Sequence, residues 1–318
     1  MAARTDTPAP PSFFARILAR LRGEQPPSPG TAAPAEVSLE AKAPARRRVG
    51  EPQAPLDPLT VRQWLWGPGF IVPGTAEYVL GLVKPFAANP AMSILDVAAG
   101  LGGPARAIAD AFDTYVTGLE RDAETAARGM AMSVAAGKQK HAAINAMNPE
   151  TLELKAGAFD CIFGRGATYA VQDKERFLRV LIMGLKPRGQ LLLTDYLVDP
   201  ALAERPELAA WRTLEPFPPS LWNVQQYTDC LKSLGFDIRI TEDTTTQYKA
   251  QIVLGWDNLL QTVDIRKLPR VHRLMVLDEA ERWVKTILAL DSGALKVFRF
   301  YALAGSARPH ASAIKKKK

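Results

Sequence analysis

Between about residues 59 and 305 the apolar positions follow two rhythms. Compact runs at 94–97, 115–120, 142–145, 159–164 and 190–196 have the length and composition of strands buried on both faces. Between them, 76–86 and 123–136 place apolar residues at helical spacing. Gly184-Leu185-Lys186-Pro187-Arg188-Gly189 reads as a turn that ends a helix, and 223–231 as an amphipathic helix stopped near Gly235. A strand and turn over 237–248 and a strand over 295–302 close the pattern. Alternation of strand and helix predicts an α/β fold with a doubly wound, largely parallel sheet.

The first 57 residues break both rhythms. They are rich in Pro, Ala and Arg, with stretches such as Pro26-Pro27-Ser28-Pro29-Gly30 that sustain neither helix nor sheet, and read as a disordered basic leader. One island, 12–22, sets Phe14, Ile17, Leu18 and Leu21 on one helical face, with Ser12 as cap and Gly23 as stop. It suits an anchor on an anionic membrane surface or in a partner's groove, and equally a helix that packs back on the domain or frays. The expected organisation is a leader at 1–57, one domain at 58–308 and a basic tail at 309–318.

Charge and cysteine content narrow the classes. The formal net charge is +7, but residues 1–50 carry +4 and Lys315–Lys318 another +4, which leaves −1 for the remaining 264. A domain of that charge gives no reason to expect nucleic acid. Cys161 and Cys230 are far apart and without His neighbours, so neither a structural metal nor a disulfide framework is expected. No apolar run reaches the roughly 18 residues of a membrane span. A cytoplasmic protein is expected, with possible contact at the inner membrane surface through the leader helix and basic tails.

The chemistry concentrates in Ile94-Leu95-Asp96-Val97-Ala98-Ala99-Gly100-Leu101-Gly102-Gly103-Pro104-Ala105-Arg106. A strand turns through glycines and restarts as a helix with Pro104 in its first turn, which brings backbone N–H groups against a ligand. The next strand ends at Glu120, a carboxylate suited to two ribose hydroxyls. The spacing differs from the G-x-G-x-x-G of dinucleotide enzymes. With an acid at the strand end, it resembles the S-adenosylmethionine (SAM) loop of class I methyltransferases.

The resemblance extends over about residues 60–305. Trp66-Gly67-Pro68-Gly69-Phe70-Ile71-Val72-Pro73-Gly74, a helix, and then the Asp96 loop are similar to the small-molecule methyltransferases of the phosphoethanolamine and sarcosine/dimethylglycine group. That resemblance implies a Rossmann-like, seven-stranded class I sheet with an antiparallel last strand and an N-terminal helical lid over the cofactor. It implies SAM as cofactor and, most specifically, N-methylation of an amine metabolite. Methylation of a lipid or isoprenoid at a membrane surface, and a non-catalytic interaction module, are the alternatives. The cofactor-binding set so expected is Phe70, Asp96, Ala98, Gly100, Gly102, Glu120, Arg121, Met147, Asn148 and Arg165. Asn148 stands where the class carries an acid toward adenine, and is equally a turn residue before Pro149.

The acceptor side departs from that group. Phe70 replaces an aromatic hydroxyl, and Gly164-Arg165-Gly166-Ala167-Thr168-Tyr169-Ala170 lacks a His. The remaining catalytic candidates are Arg165, to hold an anionic acceptor or fix the loop by an ion pair, and Tyr169 and Tyr196, to touch a nucleophile or pack in the core. The Pro- and Trp-rich stretch 211–221 is the expected place for further acceptor residues. No metal ligands are expected.

Overall fold

The structure is a computed structural model that describes residues 57–306. The leader helix expected at 12–22 and the basic tail lie outside these residues. Seven strands form one sheet: β1 (Ser93–Asp96), β2 (Tyr115–Glu120), β3 (Ala142–Ala146), β4 (Phe159–Arg165), β5 (Leu185–Val198), β6 (Phe236–Asp243) and β7 (Leu295–Ala304). Their order is β3-β2-β1-β4-β5-β7-β6. The first five run parallel, and β7 lies antiparallel between β5 and β6. The chain therefore leaves β1 toward β2 on one side and returns on the other through β4. That reversal opens a crevice at the carboxyl ends of β1 and β4, where ligands of such sheets bind.

The central strands β1, β4 and β5 are buried on both faces because two cores sandwich them, whereas the edge strand β6 alternates inward and exposed residues. Alternate residues of β1 part as the pleat requires, Ile94 to one core and Leu95 to the other. On the second face pack α5 (Lys174–Gly184) and α7 (Val224–Ser233). The first face carries α1 (Pro58–Trp66), α2 (Ala76–Val83), α3 (Gly103–Phe112), α6 (Pro206–Arg212), α8 (Thr245–Thr262) and α9 (Arg270–Asp291). Trp66 meets Trp283 edge to face at 4.9 Å, and Trp211 and Trp256 are fully buried in the same layer. The remaining helix, α4 (Ala123–Ala135), begins at Asp122, whose carboxylate accepts from Thr125 N at 2.8 Å.

The sequence expectations need three corrections. The segment 184–189 is not a free turn: β5 starts at Leu185, opposite Phe159, and the pairing resumes at Gln190 opposite Cys161. Arg188, at φ +61°, absorbs the irregularity as a kink within the strand. The strand over 237–248 ends at Asp243, and Tyr248 belongs to α8. Threonines favour strands on average, but Thr244 N donates to Val297 O (2.8 Å) and Thr245 Oγ1 accepts from Val297 N (3.0 Å), so the helix starts fastened to β7. Finally, most of residues 249–291 had no assigned element and forms the long pair α8 and α9. No helix among the described residues is long and apolar enough to cross a membrane.

Candidate active site

A cavity of about 280 Å³ lies at the crevice over β1 and β4. Its first half is made by the loop between β1 and α3. Gly100 (φ +53°) and Gly102 (φ +75°) take left-handed conformations that other residues rarely adopt. The loop is tied on every side. Val97 N donates to Phe163 O (2.8 Å), Ala99 N to Leu119 O (3.0 Å), and Gly102 N to Ala99 O (2.8 Å). From α3, Arg106 reaches back to Leu101 O at 2.8 Å and to Ser133 Oγ at 3.0 Å. Val97, Ala98, Ala99 and Gly100 thus present a fixed backbone wall to the cavity.

Glu120 closes that half. Its Oε2 accepts from Gly100 N (2.9 Å) and its Oε1 from Asp122 N (3.0 Å), so both oxygens are oriented by backbone before any ligand arrives. Burial raises its carboxyl above the usual range, while the N–H bonds from Asp122 and Gly100 oppose the rise. Each oxygen keeps a lone pair for a diol. Arg121, Met147 and Pro149 continue the wall beyond it. Arg121 stacks 3.7 Å from the Phe217 ring centroid and donates to Ala170 O at 3.2 Å.

The second half is aromatic. Tyr78, Tyr169, Tyr196, Tyr248 and Trp283 face the same cavity, with Glu215, Arg282 and Arg165 among them. Tyr169 donates to Glu215 Oε2 at 2.6 Å, and Arg282 donates to the same carboxylate at 3.2 and 3.3 Å. Tyr196 and Tyr248 share one proton between their hydroxyls at 2.6 Å, which leaves the other hydroxyl proton for a ligand. Burial pushes the phenols of Tyr169, Tyr196 and Tyr248 above their ordinary value, and nearby Glu215 adds to the shift. At neutral pH all three are neutral and can donate but not serve as bases.

Asp195, at the end of β5, holds this half in shape. It is 2% exposed and accepts from Thr168 N (2.8 Å), Thr168 Oγ1, Tyr169 N (3.1 Å) and Tyr196 N (2.9 Å). Arg165 lines the cavity and lies at the end of β4. It donates to Pro73 O at 3.0 Å and so ties segment 67–74 to β4. That segment covers the cavity through Gly69, Ile71, Val72 and Pro73, as expected for a lid, and Gly103 N donates to Gly69 O at 3.0 Å.

Of the residues expected from sequence, Ala98, Gly100, Glu120, Arg121, Met147, Arg165, Tyr169 and Tyr196 come together around the cavity. Four stand apart from its lining. Phe70 is 6% exposed and packs against Gly103, in a segment whose Gly67 and Gly69 take positive φ. Gly102 serves the fold: a Cβ there would lie 2.8 Å from Arg106 and Ile144. Asp96 is buried behind the loop, its Oδ1 accepting from Ala98 N (3.1 Å) and its Oδ2 without a partner. Asn148 is exposed and accepts from Glu150 N at 3.0 Å, which realises the turn reading. Asn148→Ala is accordingly expected to change nucleoside-ligand affinity by less than about twofold in a calorimetric titration.

Sequence reasoning missed Arg62, Tyr78, Glu215, Tyr248, Arg282 and Trp283 as cavity residues. Glu215 fell within the stretch singled out for acceptor residues, and the others carry no local motif. Trp211, in that same stretch, is core. His141 stacks on Tyr115 at 4.6 Å, and among the described residues no His lines the cavity. No group of side chains among the described residues is arranged to hold a metal.

Two buried acids make stability depend on pH. Burial pushes Asp96 up to about 7, against the Ala98 N–H and the Arg165 charge, and Asp195 up to about 6, against Thr168 and Lys174. Both lie above the ordinary carboxylate value, so between about pH 4 and 7 the folded chain binds more protons than the unfolded one. Their contribution is fully present below about pH 4 and is lost as pH rises through 6 and 7. Urea unfolding should therefore show a lower midpoint at about pH 8 than at about pH 5, with a flatter profile in Asp96→Asn; an opposite slope would refute the assignment.

These features define the class. A methyltransferase-domain model matches residues 75–240, just over half of the chain, and the chain belongs to that family. Phosphoethanolamine N-methyltransferase 1 of Arabidopsis thaliana is 30% identical over 186 residues, which cover 58% of this chain and 36% of that protein. The Plasmodium falciparum phosphoethanolamine N-methyltransferase is 23% identical over 203 residues, 63% of this chain and 71% of that one. Among solved structures, Haemonchus contortus phosphoethanolamine N-methyltransferase 2 in complex with S-adenosyl-L-methionine superposes with a TM-score of 0.68 at 21% identity, covering 78% of this chain and 56% of that one. The match to the plant relatives spans about a third of their length. The seven-stranded sheet with antiparallel β7 is the fold that the resemblance implied.

Proposed function

We propose that the chain is a SAM-dependent methyltransferase that methylates the amine nitrogen of a small metabolite. The observation that carries this reading is one continuous cavity, with a pre-oriented carboxylate beside a glycine loop at one end and an aromatic wall around Glu215 at the other. The first end suits SAM: Glu120 would take the ribose hydroxyls, and the orphaned Oδ2 of Asp96 lies behind the backbone that a methionine tail would meet. SAM supplies an activated methyl on a sulfonium. The rest falls to positioning and exclusion of water, which segment 67–74 and the aromatic wall provide. A neutral amine can donate its N–H groups to the tyrosine hydroxyl oxygens and to Glu215 while its one lone pair faces the methyl group, and a methylated ammonium suits the ring faces and Glu215. Family membership and the phosphoethanolamine-acting relatives support the same reading, while the lack of a His here favours an acceptor other than theirs.

The test has two arms. Calorimetry with SAM and S-adenosylhomocysteine establishes the cofactor, and labelled SAM with a panel of phosphoethanolamine, sarcosine and related amines establishes the acceptor class. Label transfer to an amine, weakened in Glu215→Gln, is the expected result. Transfer only to carbon or oxygen acceptors would overturn the amine reading, and absence of SAM binding by folded protein would overturn the enzyme itself and favour an interaction module.

A further inference from the structure

The turn before α9 and that helix's first turn form a surface that the cavity does not use. Arg266 and Lys267 are 80% and 84% exposed, Arg270 and Arg273 are exposed, and between them Val271 and Leu274 are 55% and 48% exposed. On α9, Arg270, Val271 and Leu274 lie on the side away from the buried Val276, Glu279 and Trp283, and the exposed Arg273 flanks them. Segment 264–274 contains four Arg/Lys and one acid. That acid, Asp264, is shared by Arg266 at 3.5 Å and Lys267 at 3.4 Å. Arg270 and Arg273 form no ion pair among the described residues. The cationic tip stops where Asp278 and Glu281 take over the same side of the helix.

We propose that this tip docks on an anionic lipid bilayer, with Val271 and Leu274 entering the headgroup boundary and the four cations facing lipid phosphates. Singly exposed aliphatics are ordinary on any protein. Here two of them are interleaved with unpaired arginines at one exposed turn, the combination that interfacial anchors use. A nucleic-acid backbone would be met by the cations alone and gives the aliphatics no role. Such docking goes beyond the methyl-transfer reading and stands independently of it.

Flotation of the full chain with vesicles of phosphatidylcholine, with and without phosphatidylglycerol, tests this beside V271S/L274S and R270Q/R273Q. The parent should float with anionic vesicles only. R270Q/R273Q should lower partitioning by about 25-fold, at about fivefold per cation, and V271S/L274S by about tenfold. All four side chains are exposed, so both variants should keep the parent's unfolding midpoint. Equal binding to neutral vesicles, or parental binding by both variants, would overturn the proposal. A loss confined to R270Q/R273Q, with parental binding by V271S/L274S, would indicate a general polyanion surface and overturn it too.

Discussion

Replacing Glu120 with alanine is expected to weaken SAM binding by about 30- to 150-fold, or about 2–3 kcal/mol, in a calorimetric titration. Two effects add. The ligand's diol loses an acceptor that the backbone had already oriented, and Gly100 N and Asp122 N lose theirs, so the glycine loop itself loosens. Glu120→Gln separates them. Its amide oxygen can satisfy one N–H but its NH₂ cannot accept from the other, so an intermediate loss is expected. Affinity equal to the parent's in Glu120→Ala would place the ribose elsewhere in the cavity and remove the main support for the cofactor assignment.

Asp195→Ala is expected to destabilise the fold by about 3 kcal/mol and to abolish turnover. The substitution strands three N–H donors, those of Thr168 and Tyr196, which are buried, and of Tyr169, which is part-buried, at about 1 kcal/mol or more each. The Thr168 hydroxyl is spared, because it can turn to the Tyr227 hydroxyl at 3.3 Å. Asp195→Asn keeps one acceptor oxygen and should lose about half as much. The two tyrosines of the aromatic wall, Tyr169 and Tyr196, hang on these bonds, so the variant folded at low temperature should still bind SAM while transferring no methyl. Urea unfolding at about pH 7 reads the first effect and labelled-SAM turnover the second; a variant as stable as the parent would show that Asp195 is not what fixes loop 166–170.

The cofactor half was legible in the sequence because it is local. A strand, three glycines, Pro104 and an acid at the end of the next strand follow one another within 27 residues, and each has a conformational reason to be there. The aromatic half is assembled by tertiary contact. Tyr248, Arg282 and Trp283 reach the cavity from α8 and α9, whose buried stripes include Gly255, Glu279 and Thr286 and so do not show as a run of apolar positions, and the strand and turn read over 237–248 hid a helix that β7 fastens at Thr244 and Thr245. Phe70 misled for a related reason. Its place in the motif was visible, but its burial against Gly103 is a tertiary contact that the local pattern does not show.

The bond from Gly103 to Gly69 has a kinetic consequence. A Cβ at Gly103 would lie 2.6 Å from the Gly69 carbonyl, so covering segment and glycine loop meet backbone to backbone with nothing between them. Segment 67–74 cannot lift without breaking that bond, and the Gly103 amide is then open to solvent. Its deuterium uptake would act as a clock for entry to the cavity: slow in the free protein, slower still once a ligand fills the space beneath, and accelerated when Arg165→Ala releases the second tie at Pro73.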